Sequence, residues 1–164
     1  MKDLGELKYF LGIEFARSKQ GILMHQRKYA HELISETGMS ASKPAITPID
    51  IHMKFTTKEY DNLINSQDSS KSSTPDQSSK SSIDDPLTDQ GAYQRLVGKL
   101  LYLTITRLDI SYGVQTLSQF LQQPKKSHME AALRIVRYIK GQPDQGILLS
   151  SDQNTTITAF CDAD

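Results

Sequence analysis

The sequence predicts an α+β fold, because two different apolar periodicities are separated by a polar break. Residues 7–16 alternate with a period of two, which is typical of a β-strand. Between residues 93 and 139 the apolar side chains recur at helical spacing instead. A serine-rich stretch, residues 56–88, lies between these regions. We therefore expect an N-terminal β-hairpin plus helix, a disordered serine-rich insert, a three-helix segment and a C-terminal β-hairpin.

The N-terminal part combines a hairpin with a helix. Residues 18–21 (Ser-Lys-Gln-Gly) have turn composition, and residues 22–25 supply the return strand. From Arg27 the pattern becomes helical, and Gly38 stands where a glycine in the left-handed conformation would end the helix. The insert that follows has nine serines between Ser66 and Ser82 and few apolar residues, so it cannot offset its ordering entropy.

Three helices are expected after the insert. Thr88 or Asp89 caps the first, whose internal glycine, Gly98, indicates close packing against another helix. The second runs from Ile110 to Leu121. The third opens with a capping box at residues 127–130 and ends at Gly141. Two short strands, residues 147–149 and 156–161, complete the predicted order.

Composition excludes several classes of protein. Lys and Arg number 19 and Asp and Glu number 19, so no overall positive field attracts nucleic acid. A single cysteine, Cys161, excludes an internal disulfide and suits a reducing compartment. No apolar run approaches the roughly 20 residues that span a bilayer, and no targeting segment is recognisable, so we expect no membrane contact.

Several motifs, in order along the chain, resemble the Pol polyprotein of copia-type retrotransposons. Outside the insert the resemblance covers nearly the whole chain, and it extends to plant uncharacterised mitochondrial-type proteins derived from such elements. One departure is Leu108, where the family usually has proline. The motifs are Phe10-Leu11-Gly12, Tyr93-Gln94-Arg95-Leu96-Val97-Gly98-Lys99-Leu100-Leu101-Tyr102-Leu103, Arg107-Leu108-Asp109-Ile110-Ser111-Tyr112, Gln119-Phe120 with Pro124 and His128, Arg134-Ile135-Val136-Arg137-Tyr138-Ile139-Lys140-Gly141, and Phe160-Cys161-Asp162-Ala163-Asp164.

The resemblance implies a domain organisation. Residues 1–55 would be the end of the palm, with the primer-grip hairpin, and the start of the thumb. Residues 56–88 would be a linker, and residues 89–150 the thumb and connection helices. Residues 151–164 would be the truncated first strand of the RNase H domain.

The implied function is that of a fragment of a reverse transcriptase with RNase H, an RNA-directed DNA polymerase. The fragment would help to position an RNA/DNA template–primer duplex, alongside other Pol segments. The parent enzyme uses Mg²⁺, but the polymerase's Tyr-Val-Asp-Asp motif does not occur in this chain. We therefore expect no bound cofactor and no catalysis by this chain alone.

Two groups of candidate site residues come from the resemblance. Phe10, Leu11 and Gly12 correspond to the hairpin that grips the primer terminus, where a glycine lets backbone approach a sugar-phosphate. The alternative is a plain strand with a glycine at a bulge. Asp162 corresponds to the first metal-binding RNase H aspartate, and Asp164 would share its strand face. The alternative for this pair is a solvated chain end.

A basic stripe is the third candidate. Arg134, Arg137 and Lys140 recur on one face of the third helix, and Lys125 and Lys126 lie just before it. These cations could neutralise duplex phosphates, or they could form an ordinary solvated helix face.

A different reading is a small non-catalytic nucleic-acid-binding or interaction protein built on a three-helix unit. The order of the motifs favours the polyprotein reading. We also expect the folded parts on the two sides of the insert to pack only loosely, because the parent's palm would cover the N-terminal part.

Overall fold

The computed structural model describes residues 5–53, 55–57, 59–60, 63, 87–152 and 159, and it confirms the α+β class. Three strands come first, the helices follow with two short 3₁₀ helices among the described residues, and a fourth strand comes last. The elements are β1 (Tyr9–Phe10), β2 (Ile13–Ser18), β3 (Gly21–His25), α1 (Arg27–Glu36), a 3₁₀ helix (Met39–Ala41), α2 (Gln90–Leu103), a second 3₁₀ helix (Leu108–Ile110), α3 (Ser111–Ser118), α4 (Lys126–Gly141) and β4 (Gly146–Ser150).

The sheet is antiparallel throughout, with the strands in the order β1-β2-β3-β4. The expectation of one continuous strand over residues 7–16 is wrong, because the chain reverses at Leu11 and Gly12. Both residues have positive φ, 48° and 77°, as a two-residue primed turn requires. Phe10 and Ile13 face each other across this turn. The turn has two residues, which is also the period of side-chain alternation along a strand. The alternation of apolar residues therefore continues through the turn, and the sequence pattern does not reveal the reversal.

β4 extends the sheet by pairing with β3, from Gly21 opposite Ser150 to His25 opposite Gly146. The predicted C-terminal hairpin would place residues 156–161 beside β4. Apart from residue 159, that predicted strand lies outside the described residues. The observed partner of β4 is therefore the N-terminal hairpin, which local sequence patterns do not reveal.

Two of the predicted helix ends are confirmed, the end of α1 at Gly38 and the start of α2 at Asp89. Gly38 has φ 70° directly after the end of α1, and Asp89 caps α2 by accepting a hydrogen bond from the Ala92 amide at 2.8 Å. α4 begins one residue before the predicted box: its N-cap is Lys125, whose amide donates to His128 Nδ1 at 3.1 Å. Gly98 does not mark close packing, because a Cβ added there meets nothing within 4 Å.

Each of the helices α1 to α4 in the described part of the chain contributes to one buried core, so the expectation of loose packing between the two parts is wrong. Ala30, Leu33 and Ile34 of α1 lie in the same cluster as Val97, Val136 and their neighbours. β4 also pairs with β3. The parts before and after the insert are therefore joined both by the shared core and by the sheet. The other core residues are Tyr93, Leu96, Leu100, Leu103, Ile110, Val114, Leu117, Ala131, Ala132, Ile135 and Ile139.

The serine-rich insert lies almost wholly outside the described residues, but both of its attachment points are described. On one side Thr56 accepts a hydrogen bond from Lys125 Nζ at 2.8 Å. On the other side the Leu87 amide donates to the Pro124 carbonyl at 3.0 Å. Since Pro124 and Lys125 are adjacent, Thr56 and Leu87 are attached to the fold at neighbouring positions.

Candidate nucleic-acid interface

The β1–β2 turn projects an exposed apolar tip. Phe10 is 56% exposed and Leu11 is 69% exposed. The backbone beneath them is fixed, because the Tyr102 hydroxyl of α2 donates a hydrogen bond to the Leu11 carbonyl. A Cβ at Gly12 would lie 3.5 Å from that hydroxyl, so the glycine permits both the positive φ and the close approach. Phe10, Leu11 and Gly12 therefore belong to a hairpin turn and not to a strand with a glycine bulge, and their contact with a primer stays a prediction.

Tyr102 is itself held by α1. Its ring meets the Tyr29 ring edge-on, with centroids 5.2 Å apart. The Tyr29 hydroxyl donates to the Lys99 carbonyl at 3.3 Å, and the Lys99 ammonium pairs with Glu36. Burial raises the pKa of the Tyr29 phenol, and Tyr102, Glu36 and Glu32 raise it further, so this hydroxyl remains a donor. The turn is thus connected to α2 by the Tyr102 hydroxyl, and to α1 only through the contact between the two tyrosine rings.

A groove of about 670 Å³ separates β1 and β2 from α1. Its wall carries Lys8, Arg27, Lys28 and His31, and its acidic members are Glu14 and Glu32. Glu14 is used internally: it accepts a hydrogen bond from the Lys28 amide at 3.2 Å and so serves the first turn of α1, whose N-cap Gln26 makes no side-chain cap. The lining therefore holds three cations, Lys8, Arg27 and Lys28, against two carboxylates, and Arg27 also lies 3.9 Å from Glu14 and 4.0 Å from Asp144.

Sequence reasoning missed this groove. Its cations come from two elements that each look unremarkable alone, Lys8 before β1 and Arg27 with Lys28 at the start of α1. The only available signal was the position of Arg27 and Lys28 in the first turn of a helix that directly follows the hairpin.

The predicted basic stripe on α4 lies under another segment. Lys140 Nζ donates to the carbonyls of Met39, Ser40 and Ser42 at 3.3, 2.5 and 2.6 Å. Arg134 donates to Thr47 Oγ1 at 3.0 Å. We refer to residues 39–50 as the strap, because they cross α4 and are bound by it. Lys140 and Arg134 thus satisfy three carbonyls and one hydroxyl of the strap.

The remaining stripe residues are divided between the interior and the surface. Lys125 is only 2% exposed, and its ammonium holds Thr56. The Arg137 carbonyl accepts a hydrogen bond from the Ala45 amide of the strap, and the Arg137 side chain is half-buried. Lys126 is exposed. The structure therefore gives Lys125, Arg134 and Lys140 intramolecular partners, and it does not bring all five cations together on one open face.

Arg107, which is buried, forms an ion pair with Asp109, whose side chain is 24% exposed. Arg107 is 2% exposed and makes two bonds to the Asp109 carboxylate, at 2.9 and 2.7 Å, and a third to the Gln142 carbonyl at 2.8 Å. Burial by itself raises the pKa of Asp109. The hydrogen bond and charge of Arg107, with a hydrogen bond from Tyr138, outweigh that effect and lower the pKa below 3.8. Leu108, between them, is 66% exposed and is the first residue of a 3₁₀ helix, a position at which proline is also tolerated because no amide donor is needed there.

Neither a metal centre nor a membrane span is found in the part of the chain that the structure describes. No group of three or more His, Cys, Asp or Glu side chains converges there. Asp162 and Asp164 lie outside the described residues. Among the described helices, none has both the length and the apolar character needed to cross a bilayer.

The α+β fold with its exposed hairpin tip does not by itself identify a family, and comparison with curated proteins does. The chain is homologous along its whole length to Pol polyproteins of copia-type transposons. It is 38% identical over 164 residues to the retrovirus-related Pol polyprotein from transposon RE1 of Arabidopsis thaliana, and 35% identical to that from transposon RE2. An uncharacterized mitochondrial protein of the same plant is 32% identical over 164 residues.

These relatives are longer than the chain. It spans 10% of each of the two Pol polyproteins and 58% of the mitochondrial protein. No protein-family model and no solved structure matches it. The chain therefore corresponds to one segment of a transposon Pol polyprotein.

Proposed function

We propose that this segment positions the template–primer duplex in a reverse transcriptase of the copia type and performs no catalysis by itself. The observation that carries the proposal is the β1–β2 turn, which presents Phe10 and Leu11 to solvent on a backbone fixed by Tyr102. A tip of this kind offers an aromatic face and a close backbone approach to a nucleotide sugar.

The groove beside the hairpin supplies the charge that such a role requires. Lys8, Arg27 and Lys28 line it, and phosphate contacts by Lys and Arg account for most sequence-independent affinity. Because the chain has no net charge, its attraction for a duplex has to come from this local surface rather than from a global field.

The proposed lack of catalysis follows from the acidic residues. Phosphoryl transfer with two metal ions needs carboxylates that converge from several parts of a chain. Among the described residues no such group exists. The Tyr-Val-Asp-Asp motif that the resemblance assigns to the polymerase metals does not occur in this chain, so purified protein should give neither primer extension nor RNase H cleavage.

Photo-crosslinking tests the position of the duplex. Phe10 is replaced by photoreactive p-benzoyl-phenylalanine, and the protein is irradiated with a labelled DNA primer annealed to an RNA template. We expect crosslinks to the 3′ part of the primer strand. The matched control carries the same group at Tyr112, which is 81% exposed on α3. Equal yields at both positions, or crosslinks spread along both strands, contradict the proposal.

Charge variants test the groove when the affinity for the same template–primer is measured at several salt concentrations. The double substitution Lys8→Gln with Lys28→Gln should weaken binding roughly tenfold or more at low salt and reduce the salt dependence. The control double substitution, Lys19→Gln with Lys43→Gln, removes the same charge from two exposed positions away from the groove. If the control weakens binding as much as the groove variant, the groove is not the contact surface.

A further inference from the structure

The Tyr102 hydroxyl has a role that extends beyond the helix that carries it. We infer that Tyr102 is the positioning residue of the β1–β2 turn, and that its single hydrogen bond to the Leu11 carbonyl sets where Phe10 and Leu11 point. This inference rests on the proposed function for its consequence, since an oriented tip matters only if the tip contacts a duplex.

The turn needs an external partner because its own conformation is unfavourable. Leu11 has φ 48°, a region that side chains other than glycine rarely adopt, and Gly12 follows with φ 77°. β1 contains only Tyr9 and Phe10, so the strand pairing on its own side is as short as a strand can be. Leu11 is 69% exposed, so packing of its side chain does not hold the turn either.

Tyr102 is suited to supply that partner. It lies on α2, whose inner face is part of the buried core, and its ring is braced edge-on by Tyr29 at 5.2 Å. Tyr102 and Leu11, which this hydrogen bond joins, are 91 positions apart in sequence, so the bond connects the hairpin directly to the helical core. The turn and Tyr102 are in close contact, because a Cβ added at Gly12 would lie 3.5 Å from the Tyr102 hydroxyl.

The neighbouring tyrosine provides an internal control. Tyr29 and Tyr102 form one ring pair, and each hydroxyl donates to a main-chain carbonyl. The Tyr29 bond ends on Lys99, within α2, whereas the Tyr102 bond ends on the turn. Replacing either tyrosine by phenylalanine preserves the ring contact and removes one hydrogen bond from a hydroxyl to a main-chain carbonyl. A difference between the two variants is therefore due to the bond that Tyr102 makes to the turn.

The first measurement is made by NMR on the free protein. Tyr102→Phe should move the carbonyl ¹³C resonance of Leu11 and speed the exchange of the Phe15 amide, which donates to the Lys8 carbonyl across β1 and β2, about fivefold. Tyr29→Phe should leave both unchanged. Equal effects of the two variants, or no effect of Tyr102→Phe, overturn the inference, because a general loss of stability would then account for the data.

The second measurement uses the photoreactive group at position 10 with the RNA/DNA template–primer. Tyr102→Phe should reduce the crosslinking yield several-fold and broaden the distribution of crosslinked nucleotides, while Tyr29→Phe should change neither. An unchanged yield and distribution in Tyr102→Phe overturn the positioning role. If the otherwise unaltered protein gives no crosslink, the proposed function fails, and the NMR comparison still decides whether Tyr102 fixes the turn.

Discussion

Replacing Asp109 by asparagine should destabilise the protein by about 2 kcal/mol at neutral pH. Removing one partner of a buried ion pair typically costs ~3–5 kcal/mol, because the other charge remains buried without compensation. Here the Arg107 side chain is 2% exposed, but Asp109 is 24% exposed, so water screens part of the loss. Asparagine also retains one acceptor oxygen, and the Gln142 carbonyl still accepts from Arg107, which together reduce the cost further.

Urea denaturation followed by circular dichroism measures this effect. A loss of about 2 kcal/mol lowers the midpoint by about 1 M for a domain of this size. The control is Glu6→Gln, which breaks the exposed Arg17–Glu6 pair, where 3.2 Å separates the charged atoms and the side chains are 35% and 74% exposed. That change should cost well under 1 kcal/mol. An Asp109→Asn loss no larger than the control's refutes the reasoning.

The same variant gives a pH test. The folded pKa of Asp109 lies below the ordinary value of 3.8, so the ionised carboxylate stabilises the fold. That contribution is complete above pH 3.8 and is lost as the pH falls through the folded pKa. The difference in unfolding free energy between the unaltered protein and Asp109→Asn should therefore shrink as the pH falls from about 4 towards 2. A difference that stays constant over this range contradicts the assignment.

Three further changes have expected outcomes. Gly98→Ala should raise the free energy of unfolding by about 1 kcal/mol in a urea titration, since the added methyl meets no atom within 4 Å; Gly38→Ala, at φ 70°, should lower it by a similar amount. Lys140→Met, which keeps the aliphatic stem, should cost about 1–2 kcal/mol and speed amide exchange in the strap. Replacing residues 58–86 by a short Gly-Ser linker should leave the thermal midpoint unchanged or slightly higher, because loop closure depends only weakly on length.

Local features of the fold could be predicted from the sequence. Gly38 and Asp89 were identified because a helix end depends on a few adjacent residues. The pairing of β4 with β3 could not be identified, since nothing near Gly146 specifies a partner that lies at the opposite end of the chain. The turn at Leu11 was hidden within an alternation that continues through it.

In the candidate site too, local features could be predicted from the sequence and contacts between distant segments could not. The tip at Phe10 was recognisable from its motif, whereas its support by Tyr102 depends on a contact between distant segments. The positive charge of Lys140 suggested a solvent-facing stripe, and only the folded chain shows that strap carbonyls surround it. Charge on a helix predicts polarity, but it does not predict which segment will cover that charge.

The position of β4 has a consequence for how the chain is made. β3 pairs with β2 through a turn of two residues, so that hairpin can close within about 1–10 μs of leaving the ribosome. Its other edge waits for β4, which is synthesised about 10 s later at ~5–20 residues per second. During that interval β3 presents Ile22, Leu23 and Met24 on an open edge that another nascent strand could pair with. Misassembly during synthesis should therefore begin at β3.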